Sequence, residues 1–350
     1  MDNEIKEEQK HFHKVIEAFA GYRKHSSSIL NYKIKNLQVI PIHLREKMIA
    51  RLTKHTECIN INSYLFHRII EEHPVFIEKQ EDLQLDPISE QDHDKVRSTL
   101  KQIVRDWTTD GEVERNQTYL PILQLLEELY GDIPVEKRGD IKVLCPGAGL
   151  GRLVFEIVKK GFSSQGNEFS FYMLLASNFI LNQIEKPHSV TIYPYIHQFS
   201  NMPSADIQTK ALTFPDVQIF NSFPKSADFS MVAGDFTEVY TEKHQESAWD
   251  VVVTCYFMDT AKNLIDYLKV LRYCLKNGGK WINLGPLLYH FEGSDNSFEY
   301  TLEEFKDLAE AYGFSIRKES KIDSTYSACQ ESMIHYTYHN CFFMATLNKD

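Results

Sequence analysis

Apolar residues recur at helical spacing from near the start of the chain. Phe12, Val15, Ile16 and Phe19 share one face with charges between them, and residues 4 to 78 read as helices, with further helical patterns at about 44–54 and 61–72. Residues 79 to 96 are acidic and poor in apolar side chains, which predicts a linker or exposed loop. Leu100, Ile103, Val104 and Trp107 then mark one face of an amphipathic helix, and a leucine-rich helix follows at about 117–130.

From residue 140 the pattern changes. The run IKVLC (141–145) is short, apolar and closed by a glycine-rich turn, which reads as a buried strand. A helix follows through Val158, then SSQGNE, then a helical run from Phe169 to Asn182. Residues 183–227 hold Pro194, Pro203, Pro215 and Pro224 and show no clear period. Strand-like runs return at 229–235, 250–255 and 280–284, with a helix between at 261–276. A helix at 302–312, a strand near Phe314 to Arg317 and a final strand-like run at 340–347 complete the chain. Strands alternating with helices predict βαβ units and an α/β fold with a mostly parallel sheet. The expected organisation is an N-terminal helical region, 1–95, and a catalytic domain, 96–350, with 183–227 as an irregular insertion near the substrate site.

Composition narrows the class. The chain has 350 residues, 43% hydrophobic and 25% charged, ordinary for a globular protein. Its net charge of −11 makes it a poor candidate for wrapping nucleic acid, since that affinity needs a basic surface. No apolar run approaches the roughly 20 residues of a membrane span, and the charged N-terminus lacks a signal-peptide core. Six cysteines are scattered without paired spacing, so the expectation is a reduced intracellular protein with free thiols. No His/Cys spacing matches a zinc site, and no metal is expected.

The chemistry gathers at strand ends. Gly147-Ala148-Gly149-Leu150-Gly151 lets the backbone turn tightly and a ligand approach main-chain atoms. A dinucleotide fingerprint would place its third glycine at Arg152, so that match fails. The G-x-G-x-G form is instead similar to the first motif of S-adenosyl-L-methionine (SAM) methyltransferases; a purely structural turn is the alternative. Glu168, 21 residues after Gly147, would end the second strand, where an acid accepts hydrogen bonds from ribose hydroxyls. Gly234-Asp235-Phe236 follows the next strand and resembles the SAM methyltransferase pattern, in which an acid here commonly meets the adenine amino group and the next residue packs on the ring. Cys255 to Ala261 ends the strand after that. Ligands of open α/β sheets bind beyond the carboxyl ends of the strands, so this convergence supports a nucleoside-bearing cofactor.

The segments PGAGLGRL (146–153), QGNEFSFYML (165–174), YPYIHQFSN (193–201), MVAGDFTEVY (231–240), CYFMDTAKNLIDYL (255–268) and INLGPLLYHF (282–291), with LKQIVRDW (100–107), resemble the carnosine N-methyltransferase family. The resemblance covers about residues 95 to 345. It implies a Rossmann-like class I methyltransferase fold, with a seven-stranded mostly parallel sheet and helices on both faces. It also implies SAM as cofactor and methylation of the imidazole Nπ of carnosine. Carried over by motif, the cofactor contacts are Gln102, Arg105, Gly147, Gly149, Glu168, Asp235, Phe236 and Cys255. The substrate contacts are Asp259, His290 and Tyr338, with Tyr336 on the same side if that segment is extended. Where the family commonly has a third tyrosine, this chain has Thr337.

Each residue also has a plainer reading. Asp259 could cap the helix at 261–276. His290 could have no role, and Tyr336 and Tyr338 could be ordinary strand residues. Tyr256, Phe257 and Tyr289 could wall the site or fill the core. The N-terminal helices could form a lid, a homodimer interface or simple packing. The expected location is the cytoplasm, with the nucleus as a second. The rival functions are methylation of histidine in other peptides or proteins, an NAD-dependent oxidoreductase, and a binding module without activity.

Overall fold

The computed structural model describes residues 2–71 and 86–349. In chain order the elements are α1 (Asp2–Lys35), α2 (Ile42–Glu71), α3 (Glu90–Trp107), α4 (Glu112–Tyr130), β1 (Lys142–Pro146), α5 (Arg152–Lys159), β2 (Ser163–Glu168), α6 (Phe171–Gln183), β3 (Val190–Ile192), α7 (Ala205–Gln208), β4 (Leu212–Phe214), β5 (Phe229–Ala233), α8 (Phe236–Val239), β6 (Trp249–Cys255), α9 (Leu264–Cys274), β7 (Leu275–Gly285), α10 (Leu302–Ala311), β8 (Phe314–Ser324) and β9 (Tyr338–Leu347). They divide between two compact units. One comprises Met1–Gly111, Phe171–Ile219 and Ser327–His335; the other comprises Glu112–Ser170, Phe220–Tyr326 and Tyr336–Asp350. The sequence boundary between 95 and 96 falls inside α3.

The second unit carries a seven-stranded sheet in the order β5-β2-β1-β6-β7-β9-β8, the class I methyltransferase arrangement expected from the family resemblance. All neighbours are parallel except β9, which runs antiparallel to both β7 and β8. Side chains alternate between the two faces of a strand, and each face has its own core. Leu144, Val252 and Trp281 point to one face, where Leu268 and Leu271 of α9 and Phe305 of α10 cover them. Val143, Cys145, Val251, Val253, Ile282 and Leu284 point to the other, against Ile122 and Leu126 of α4 and Val154 and Ile157 of α5. Strands covered on both sides read as continuous apolar runs, which is why β1, β6 and β7 are visible in the sequence.

In the first unit, Phe12, Val15, Phe19 and Tyr22 of α1 are buried. Phe19 lies 5.1 Å from the ring of Phe66 on α2 and 5.5 Å from that of Tyr172 on α6. The patterns at 44–54 and 61–72 belong to one helix, α2. The helical expectation for 72–78, and the first part of the linker expected at 79–96, fall on 72–85, outside the described residues.

Two expectations are corrected. Residues 90–96 are helical, because Ser89 and Asp92 close a reciprocal capping box that starts α3 within the expected linker. Polarity there reflects exposed early turns of a helix rather than a loop. The stretch 183–227 is not wholly irregular: β3 and β4 pair antiparallel and α7 lies between them. Strands of three residues are too short to show alternation.

Candidate active site

The β1–α5 turn needs its glycines for conformation and for packing. Gly147, Gly149 and Gly151 have φ of +67°, +55° and +80°, a region costly for other residues. A Cβ on Gly147 would also lie 2.5 Å from Cδ2 of Phe257. Arg152, where a dinucleotide fingerprint wants glycine, is buried and donates from Nε to Glu156 at 2.8 Å.

Glu168 is tied directly to this turn. The Gly149 N–H donates to its Oε2 at 2.8 Å, and the N–H groups of Phe169 and Ser170 donate to Oε1 at 2.9 and 2.8 Å. Burial raises the carboxyl above its ordinary pKa, and these three amides oppose that rise. A carboxylate has about four acceptor positions, so one remains for a ligand hydroxyl. The preceding residues stitch the strand ends together. Ala148 N–H donates to the Asn167 carbonyl at 2.9 Å, and Asn167 Nδ2 donates to the Gly234 carbonyl at 2.9 Å. A Cβ on Gly166 would meet Met231 Sδ at 2.4 Å and Ala148 Cβ at 2.7 Å. The QGNE segment therefore serves close packing as well as its terminal acid.

Asp235 caps α8: its Oδ1 accepts the Thr237 N–H at 2.7 Å and the Thr237 hydroxyl, while Oδ2 takes no hydrogen bond among the described residues. The Phe236 ring is only 3% exposed and sits 5.3 Å from Phe257 and 5.4 Å from Tyr267. Phe236 is the first residue of α8, so its N–H has no acceptor within that helix. Cys255 ends β6 half-buried, beside the switch point where β1 and β6 are adjacent but their chains leave in opposite directions. Left-handed glycines, an acid with spare capacity and a second acid with an unengaged oxygen fit a nucleoside-bearing ligand.

Asp259 does not cap the following helix. Asn263 does, accepting the Ile265 N–H at 3.1 Å. Asp259 is buried, its Oδ2 accepts the Leu288 N–H at 2.9 Å, and its own carbonyl accepts the His290 N–H at 3.0 Å. Burial raises its carboxyl pKa, opposed by the Leu288 amide and the nearby His290. These bonds bring Asp259 and the exposed His290 together across 29 and 31 residues of sequence. Tyr338 opens β9 half-buried, with its ring 6.2 Å from that of Tyr256. Tyr336 lies before the strand and is 73% exposed. Sequence reasoning missed Tyr326 and Ser324, which contact Tyr256, and Asn340, which donates to Ser324. A buried polar residue within the apolar run at 340–347 was the available signal.

Gln102 and Arg105 lie one turn apart on α3 of the first unit. Arg105 is buried and its Nη1 pairs with Asp106 at 3.1 Å. All six cysteines are free thiols. Among the described residues, no group of three or more His, Cys, Asp or Glu side chains could hold a metal, and no helix is long and apolar enough to cross a membrane.

The chain is similar to known proteins along most of its length. Residues 83–349 match a family model described as carnosine N-methyltransferase. The chain is 39% identical to a carnosine N-methyltransferase of Schizosaccharomyces pombe, over 98% of this chain and 97% of that protein. It is 39% identical to the mouse protein of that name, over 98% of this chain and 87% of its relative. A Dictyostelium discoideum protein of the same name is 43% identical over 73% of this chain and 55% of its own length.

Proposed function

Since the chain belongs to the carnosine N-methyltransferase family, we propose that it methylates the imidazole Nπ of carnosine (β-alanyl-histidine), giving anserine and S-adenosylhomocysteine. Membership makes it a SAM-dependent methyltransferase with a small-molecule substrate. The oxidoreductase and inactive-module readings fall with that assignment. The observation that carries the proposal is the match to proteins of one named activity along nearly the whole chain.

When bound, SAM supplies an electrophilic methyl group on a sulfonium. The residues proposed to hold it in the sheet unit are Gly147, Gly149, Glu168, Asp235, Phe236 and Cys255. Glu168 would use its remaining acceptor position, Asp235 its Oδ2, and Phe236 its N–H. Gln102 and Arg105 are proposed as cofactor contacts from the family pattern, with arginine suited to a carboxylate.

The acceptor needs little activation. Free imidazole has a pKa of about 6.5, so most is neutral at pH 7. Selectivity between its nitrogens requires an acceptor for Nτ–H, which leaves the Nπ lone pair exposed. Asp259 is proposed for that role: the Leu288 N–H fixes its Oδ2 and so sets the direction of the carboxylate. The carboxylate would also stabilise the positive charge that grows on the ring. His290 and Tyr338 are proposed to hold the substrate, with Tyr336 at the exposed margin.

The test is transfer of labelled methyl from SAM to carnosine, with mass spectrometry locating the methyl. Methylation at Nπ is expected. SAM binding without turnover of carnosine, alongside turnover of another histidyl peptide or protein, would move the substrate assignment and keep the enzyme class. We also propose a homodimer through the N-terminal helices, supported by exposed Tyr32, Val39, Ile42 and Leu44 and checked by sedimentation. Residence in the cytoplasm, with the nucleus as a second location, is proposed and is checked by imaging a tagged chain.

A further inference from the structure

Tyr256 directly follows β6 and has φ +54°, a conformation unfavourable for a bulky residue. Such strain persists only where surroundings over-determine it. Here its N–H donates to the Leu284 carbonyl at 2.8 Å, and Gly285 opposite leaves room: a Cβ there would lie 3.2 Å from Tyr256 N and Cα. At its far end the phenol hydrogen-bonds Ser324 Oγ. Ser324 in turn accepts from Asn340 Nδ2 at 2.7 Å, and Asn340 also donates to the Ile322 carbonyl at 3.0 Å. Ser324 and Asn340 are both buried, so this polar chain crosses from β9 to the end of β8 in a protected interior.

The chain fixes one wall of an aromatic cluster. Tyr256 lies 4.7 Å from Tyr326 at 51° and 6.2 Å from Tyr338 at 90°, and Tyr326 lies 6.4 Å from Tyr338 at 73°. All three residues are half-buried, unlike the fully covered aromatics of the two cores. Tilted faces of this kind attract a planar ring that carries or acquires positive charge. Methylation turns a neutral imidazole into a cation that keeps its planarity.

We propose that Ser324 and Asn340 are positioning residues: through the Tyr256 hydroxyl they hold the Tyr256, Tyr326 and Tyr338 rings as the subsite for the substrate's imidazole. The inference rests on the function proposed above. It adds Tyr326 and Tyr256 as substrate contacts and assigns a reason for the left-handed backbone at Tyr256.

The test uses the full chain with Ser324→Ala, Tyr256→Phe and the double variant. Initial rates give KM for carnosine and for SAM, and calorimetry gives S-adenosylhomocysteine affinity. Each single variant is expected to raise KM for carnosine roughly 5- to 10-fold, the scale of one lost hydrogen bond, with SAM KM and S-adenosylhomocysteine affinity within about twofold of wild type. The double variant should resemble the singles, because both remove the same bond. Tyr326→Phe keeps a ring and should stay near wild type, whereas Tyr326→Ala should not. Unchanged carnosine KM in Tyr256→Phe, additive losses, or parallel loss of cofactor affinity would overturn the proposal. If the wild type binds S-adenosylhomocysteine and does not methylate carnosine, the function reading fails and this subsite fails with it. Failure of the variants alone to shift carnosine KM removes only the positioning role.

Discussion

The Gly149 N–H and the Glu168 carboxylate meet at 2.8 Å, so the first glycine turn and the acid ending β2 form one unit. Glu168→Gln keeps the side-chain length and gives up one carboxylate oxygen for an amide donor. An N–H that now faces it loses its acceptor, and a ribose hydroxyl loses a charged partner. A hydrogen bond to a charged group is worth about 1.5–3 kcal/mol. SAM affinity should therefore fall roughly 10- to 100-fold, with a lower melting temperature. Calorimetry with S-adenosylhomocysteine checks the first, and affinity within twofold of wild type would reject the shared role.

Phe236 separates packing from binding. Its ring is in the core beside Phe257, Tyr240 and Tyr267. Phe236→Ala should cost about 3–5 kcal/mol of stability. The milder Phe236→Leu should keep cofactor affinity within about threefold, since the backbone N–H is unchanged. Denaturant melts and calorimetry report the two effects. A large affinity loss in a stable Phe236→Leu would show that the ring itself stacks on adenine.

The sheet was legible where physics is local. Val143 to Cys145, Val251 to Val253 and Trp281 to Leu284 are buried on both faces, and their apolar runs show it. The far edge was less visible. β8 was expected over Phe314 to Arg317 and extends to Ser324, because its outer residues are polar and a register shift between Arg317 and Ser320 breaks the alternation. The site was legible in its glycines and acids, which sit at strand ends. Its wiring was not: the partner of Asp259 is an amide at Leu288, and that of Tyr256 is a hydroxyl 68 residues away at Ser324. Such pairings exist only after the strands are ordered.

Asp259 should trade stability for activity. Its carboxyl is buried, and desolvation raises its pKa above the ordinary 3.8. Asp259→Asn keeps an oxygen for the Leu288 N–H and removes the buried charge. The variant should melt at or above the wild-type temperature at pH 7, while kcat falls roughly 100- to 1,000-fold, the scale of a lost electrostatic partner in a water-poor site. The sign with pH follows. A raised folded pKa means the folded state holds more protons than the unfolded state in the window above 3.8, so the wild type gains stability as pH falls through it. The advantage of Asp259→Asn should shrink toward acid. A variant that melts well below the wild type at pH 7 would mark Asp259 as a structural anchor.

His197 carries the opposite pH signature in the helical unit. Its Nε2 lies 2.8 Å from the Tyr22 hydroxyl, which accepts from Asn62 Nδ2 at 3.1 Å. The neutral imidazole pairs with that phenol in either tautomer, as acceptor or as donor. Burial, then the charges of Arg97, His25, His55 and Lys101, push the His197 pKa down from 6.5 to about 3. Between those values the unfolded chain binds the proton and the folded chain does not. The contribution is therefore present above pH 6.5 and is lost as pH falls toward 3. His197→Gln keeps a hydrogen-bond partner for Tyr22 and cannot titrate. Its stability should match the wild type at pH 7 within about 1 kcal/mol and decline less between pH 7 and 5. Equal slopes for the two proteins in urea melts at several pH values would mean that His197 is protonated in the folded state.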